Sequence, residues 1–135
     1  MTIRSINPAS PPDLSYSIIH SIVLDGTRLP PRMNFWNRLL FTAISMAAKT
    51  LPKDEVAVLV TCGFVPGKRK AAGYYYIGEA DISVQAQNAN SAWRATYHIL
   101  EAIRMPVEIE FSWQIGWKPA KGDAAPAKMI VNWGT

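Results

Sequence analysis

Cysteine is almost missing from this 135-residue chain: Cys62 stands alone, so no intrachain disulfide can form and a thiolate zinc cluster is excluded within one chain. That scarcity suits a reducing compartment. Histidine is nearly as rare, with His20 and His98 the only imidazoles. No apolar run reaches the length of a membrane span; Leu39 to Ala48, the longest, is about half what is needed and is interrupted by Thr42 and Ser45. Met1 to Leu14 carries Arg4, then Asn, Pro, Ser and Asp in place of the apolar core of a secretory signal. The expectation is a cytoplasmic protein with no membrane contact. Walker loops, dinucleotide fingerprints, zinc-protease helices and nucleophile elbows are missing as well, so the sequence names no catalytic group and no cofactor.

What is present in quantity is apolar mass. Hydrophobic residues make up 49% of the chain and charged ones 18%, a balance that offsets chain entropy and implies a folded domain. The expected organisation is an extended arm over residues 1–14, punctuated by Pro8, Pro11 and Pro12, followed by a single α+β domain over 15–135. The formal charge of +4 raises the question of an anionic partner. Its surplus bases fall in segments that read as loops, at Arg28 and Arg32, Lys68 to Lys70, and Lys118, Lys121 and Lys128. Between Ala71 and Trp117 the acids Glu79, Asp81, Glu101, Glu108 and Glu110 outnumber Arg94 and Arg104.

The clearest pattern runs from Val107 to Trp117, where Val107, Ile109, Phe111, Trp113, Ile115 and Trp117 alternate with Glu108, Glu110, Ser112, Gln114 and Gly116. A period of two marks a strand with one dry and one wet face, hence an antiparallel sheet with one side in water. Tyr16 to Leu24 reads as a strand closed by an Asp25-Gly26 turn. Asn34 precedes a helix over Phe35 to Leu51, whose stripe is Trp36, Leu39, Leu40, Ala43, Ile44, Ala47 and Leu51 and which Pro52 ends. Glu55 to Phe64 and Tyr74 to Ala86 read as a strand hairpin across a basic turn. Asn88 and Asn90 open a second helix that buries Ala92, Trp93, Thr96, Ile99, Leu100 and Ile103 and leaves Arg94, His98 and Glu101 in water; Met129 to Trp133 is a final short strand. The order predicts a two-layer α+β sandwich: a ferredoxin-like βαββαβ arrangement with an added C-terminal strand and two helices on one face of an antiparallel sheet.

Three groups of residues bear on function. Trp113, Trp117 and Trp133 could enclose a flat or cationic ligand or form a contact, and Phe41 falls on the side of its helix opposite the stripe, beside Asn37, Ser45 and Ala48. With an uncovered sheet face, these residues favour a non-enzymatic protein that binds a small ligand or a protein partner as a homodimer or higher oligomer. A second group, Lys68-Arg69-Lys70 followed by Gly73-Tyr74-Tyr75-Tyr76-Ile77, resembles over about eight residues the third strand of the RNA recognition motif, with its basic residue, glycine and alternating aromatics. Ala72 replaces that motif's basic residue and Tyr75 its small one. The resemblance implies single-stranded nucleic-acid binding through Lys68, Arg69, Lys70 and Tyr75. In an unbroken strand over 74–86, Tyr74 and Tyr76 would share the inward face with Ile82 and Val84. Third, Glu79 with Asp81 and Glu108 with Glu110 are carboxylate pairs at strand spacing, the pattern of a metal-dependent enzyme and equally of a solvated sheet face. His20, alternating with Ile18 and Ile22, is expected to point inward, and burial is expected to raise the Cys62 thiol pKa.

Overall fold

The computed structural model describes residues 3–114 and 126–133. In chain order its elements are β1 (Arg4–Ser5), β2 (Ser17–Leu24), β3 (Thr27–Arg28), a 3-10 turn (Pro31–Met33), α1 (Trp36–Thr50), α2 (Lys53–Leu59), β4 (Phe64–Pro66), β5 (Tyr74–Ile77), β6 (Ile82–Gln85), α3 (Ala89–Ile103), β7 (Val107–Trp113) and β8 (Ala127–Val131). Among the described residues these make a mixed α+β protein with three helices and two sheets. The chain divides into two compact units. One combines Met1–Trp36 with Arg104–Thr135, and the other is Asn37–Ile103.

The first unit is a five-stranded sheet in the order β1-β8-β7-β2-β3. Its centre is β7, where Val107, Ile109, Phe111 and Trp113 are buried and Glu108, Glu110 and Ser112 alternate with them at partial exposure, as the period of two dictates. The β2–β3 hairpin closes on Asp25 (φ 51°) and Gly26 (φ 81°), the two left-handed positions that a two-residue turn between twisted strands demands. The amino-terminal segment is less free than an extended arm: Arg4–Ser5 pairs in parallel with β8, and Leu14 is fully buried.

A β-bulge between Ile19 and Ser21 resets the face of β2. Because the extra residue shifts the alternation, Ile19 and Ile22 are buried, Ile18 is 46% exposed, and His20 turns outward instead of entering the core.

The second unit holds the three-stranded sheet β4-β6-β5 and nearly all of the helical residues. Both long helices lie where their apolar stripes put them, and in α3 Arg94, His98 and Glu101 are exposed. Two expected strands differ. The run expected as a strand from Glu55 to Phe64 instead contributes helix α2 over Lys53–Leu59. Pro52 fixes the entry, and Asp54 and Glu55 sit in the first turn, where the helix dipole favours negative charge. The run Tyr74 to Ala86 is not one strand but the β5–β6 hairpin, broken by a turn at 78–81 in which Asp81 takes φ 53°. The sheet order therefore differs from the ferredoxin-like one, which needs a single four-stranded layer.

Candidate nucleic-acid interface

The turn at 78–81 decides which tyrosines face where. Cross-strand partners in a hairpin share a face, and the register pairs Tyr75 with Val84 and Ile77 with Ile82, while Tyr74 pairs with Gln85 and Tyr76 with Ser83. Val84, Ile82 and Ile77 are buried, so theirs is the inner face. Tyr75 shares that side but is still 42% exposed, with one ring face stacked against Phe41 of α1, centroids 4.5 Å apart and planes 3° from parallel. Tyr74 and Tyr76 take the opposite face, the reverse of what an unbroken strand would give.

Phe41 is therefore not an apolar residue without a core. It is 8% exposed, covered by Tyr75, and withdrawn from any contact surface. The Arg38 guanidinium, one helical turn before Phe41, also lies over Tyr75, 5.3 Å from the ring centre.

The basic loop lies against the outer pair of rings. The Lys68 ammonium is 5.6 Å from the centre of Tyr76, and the Arg69 guanidinium is 4.8 Å from that of Tyr74. Both are within the range in which a ring quadrupole attracts a cation. The loop backbone is tied down by Ser83, a fully buried hydroxyl that donates to the Gly67 carbonyl at 2.8 Å and accepts from the Arg69 N–H at 2.8 Å. Gly67, at φ 71°, donates its own N–H to the Asp81 carbonyl at 2.8 Å. Lys68, Arg69 and Lys70 are all exposed, and Tyr74 and Tyr76 are partly so. Tyr76 donates its hydroxyl to Asp81 Oδ1 at 2.7 Å, which fixes the ring and holds the phenol pKa above its ordinary value.

Three of the four paired carboxylates, Glu79, Asp81 and Glu108, have local partners. Glu79 lies in the 78–81 turn and not on a strand face. Backbone hydrogen bonding, a hydrogen bond from Ser45 and the charge of Lys49 together hold its pKa below the ordinary carboxyl range. Asp81 also has Lys53 at 4.0 Å, and Glu108 has Lys128 at 3.7 Å. Among the described residues no three His, Cys, Asp or Glu side chains come together as metal ligands. Cys62 is half-buried, and burial pushes its thiol pKa up.

The tryptophans divide. Trp113 is 1% exposed, donates Nε1–H to the Asp13 carbonyl at 2.8 Å, and packs edge-on against Phe111. It belongs to the core, where no ligand or partner can reach it. Trp133 is partly exposed and donates Nε1–H to the Met105 carbonyl at 2.7 Å, while Arg104 donates to the Trp133 carbonyl. With Arg104, Pro106 and Asn132 it borders a cavity of about 260 Å³. Trp117 lies outside the described residues.

One polar pair had no signal in the sequence, because its members are far apart in the chain. His20 Nε2 sits 2.7 Å from Ser112 Oγ on the outer face of the five-stranded sheet. The distance suits proton transfer between nucleophile and base, but the pair stands on exposed strand surface and not in a cleft that excludes water.

No helix among the described residues is long and apolar enough to cross a membrane. Comparison with protein families, with curated proteins and with solved structures gives no match to this chain.

Proposed function

We propose that this protein binds single-stranded nucleic acid on the outer face of the β4-β6-β5 sheet, with Lys68, Arg69 and Lys70 meeting phosphates and Tyr74 and Tyr76 meeting bases. The observation that carries the reading is the placement of two of those cations within 6 Å of the partly exposed rings of Tyr74 and Tyr76, on a loop whose backbone a buried serine holds in place. Cationic charge supplies sequence-independent affinity for phosphate, and aromatic rings accept the π-face of any base. A preordered loop reduces the entropy lost on binding. Tyr75, which the sequence nominates for this role, is 42% exposed on the opposite face of the hairpin, with the Arg38 guanidinium over its ring.

The test is fluorescence anisotropy with a labelled single-stranded 12-mer at low salt. Binding that weakens with salt, and that weakens further when Lys68, Arg69 and Lys70 are replaced by alanine, supports the reading. No binding at 50 mM salt removes it.

A second reading, self-association through the five-stranded sheet, is favoured by Ile18 at 46% and Ile130 at 55% exposure, both facing away from the buried side of that sheet. Light scattering coupled to size exclusion tests it. A species at the 15.0 kDa chain mass alone counts against it.

A further inference from the structure

One face of each of the rings of Tyr74 and Tyr76 is already occupied by a cation. Arg69 lies over Tyr74 and Lys68 over Tyr76, and Ser83 pins the backbone on both sides of Lys68, which keeps the roots of both side chains beside the rings. The Tyr76 ring is held under Lys68 by the hydrogen bond from its hydroxyl to Asp81. We propose that Lys68 and Arg69 act as built-in ring covers, so that the platform admits a base only when a phosphate arrives with it; the inference rests on the nucleic-acid reading above and specifies the ligand class as nucleotides, to the exclusion of nucleosides and other neutral aromatics.

The reasoning is one of exchange. A neutral planar ligand that stacks on Tyr74 or Tyr76 must first displace a cation and leave it with water alone, losing the attraction between cation and ring. A nucleotide displaces the same cation but offers it an oxyanion in return, and charge-assisted hydrogen bonds to phosphate are stronger than the contact given up. Both side chains have long flexible stems, so the head group can swing from ring to phosphate while the pinned backbone stays still. Base and phosphate therefore bind with positive coupling. The cations work against stacking in the absence of phosphate and for binding in its presence.

This has a consequence opposite to that of a plain basic patch. Removing the two cations uncovers the rings, so affinity for an uncharged strand should rise. The experiment uses the full chain and two single-stranded oligomers of one sequence, one with ordinary phosphodiester links and one with neutral methylphosphonate links, each titrated against wild type and the Lys68→Ala, Arg69→Ala double variant. The variant is expected to bind the phosphodiester strand more weakly and the neutral strand about five- to thirtyfold more tightly, the product of the attraction lost at two exposed rings. Unchanged, weaker or immeasurable binding of the neutral strand by the variant overturns the cover mechanism, and if wild type still binds the phosphodiester strand the nucleic-acid reading survives. Failure of wild type to bind the phosphodiester strand at low salt overturns both. Circular dichroism melting shows whether the variant is folded, and both positions are exposed.

Discussion

Replacing Lys68, Arg69 and Lys70 together by alanine should change the salt dependence of binding by an amount that the charge count sets. Each phosphate neutralised on a single strand contributes a slope of about −0.7 in the logarithm of affinity against the logarithm of salt, so three contacts contribute about −2. Over a fourfold rise in salt, from 50 to 200 mM, that share of the affinity falls by about 18-fold. The triple variant should lack this share: its slope is shallower by about 2, and its disadvantage is greatest at the lowest salt. The three residues are exposed, and losing the two cation–ring contacts costs the fold at most about 1–2 kcal/mol. A cooperative melt that stays well above the titration temperature therefore separates lost contacts from lost fold. Anisotropy titrations at four salt concentrations supply the slopes. A variant slope that parallels the wild type would refute the reasoning, because the loop would then contribute no phosphate contact.

Further consequences follow from individual groups. Ser83→Ala leaves the Arg69 N–H and the Gly67 carbonyl without their buried partner, which costs about 1–3 kcal/mol and is readable by urea unfolding; Ser83→Thr, which keeps the hydroxyl, should recover part of the nucleic-acid affinity that alanine loses. Trp113→Ala empties a fully buried site and removes the bond to Asp13, so denaturation should show a loss of about 3–5 kcal/mol, while an unchanged stability would place that ring outside the core. Glu79 has a depressed pKa, so the stability it confers is present above the ordinary carboxyl value and fades as pH falls through the native one. The melting-temperature gap between wild type and Glu79→Gln should accordingly narrow from pH 6 to pH 3, and a gap that widens contradicts the assignment. Tyr76 has the raised pKa, so its ionisation, followed by ultraviolet absorbance, should move down towards the ordinary phenol value in Asp81→Asn.

How much of this could be read from residues alone depends on where the deciding physics sits. The alternation at Val107 to Trp113 and the stripes of α1 and α3 are properties of single segments, and each is seen where its period puts it. The Asp25-Gly26 hairpin is likewise local, since two adjacent residues carry the turn chemistry. Short apolar runs are another matter: Val56 and Val58 suit a strand as well as a helix, and the outcome at α2 is set by Pro52 and two acids in its first turn. The 78–81 turn has Gly78 and Asp81 as its only local signs, yet it reverses the faces of Tyr74, Tyr75 and Tyr76 and so rewrites the candidate site. Phe41 against Tyr75 and His20 against Ser112 are contacts between distant parts of the chain, and no window along the sequence contains both partners. The bulge at His20 belongs to the pairing of β2 with β7 and is invisible in β2 alone.

The most direct test of the central claim is a two-dimensional amide NMR spectrum of the labelled chain, recorded while a single-stranded oligonucleotide is added at low salt. The account predicts progressive shifts concentrated at Gly67 to Lys70 and Tyr74 to Tyr76, with the amides of β7 and β8 unmoved. Shifts centred on Arg104, Asn132 and Trp133, or none anywhere, would contradict it.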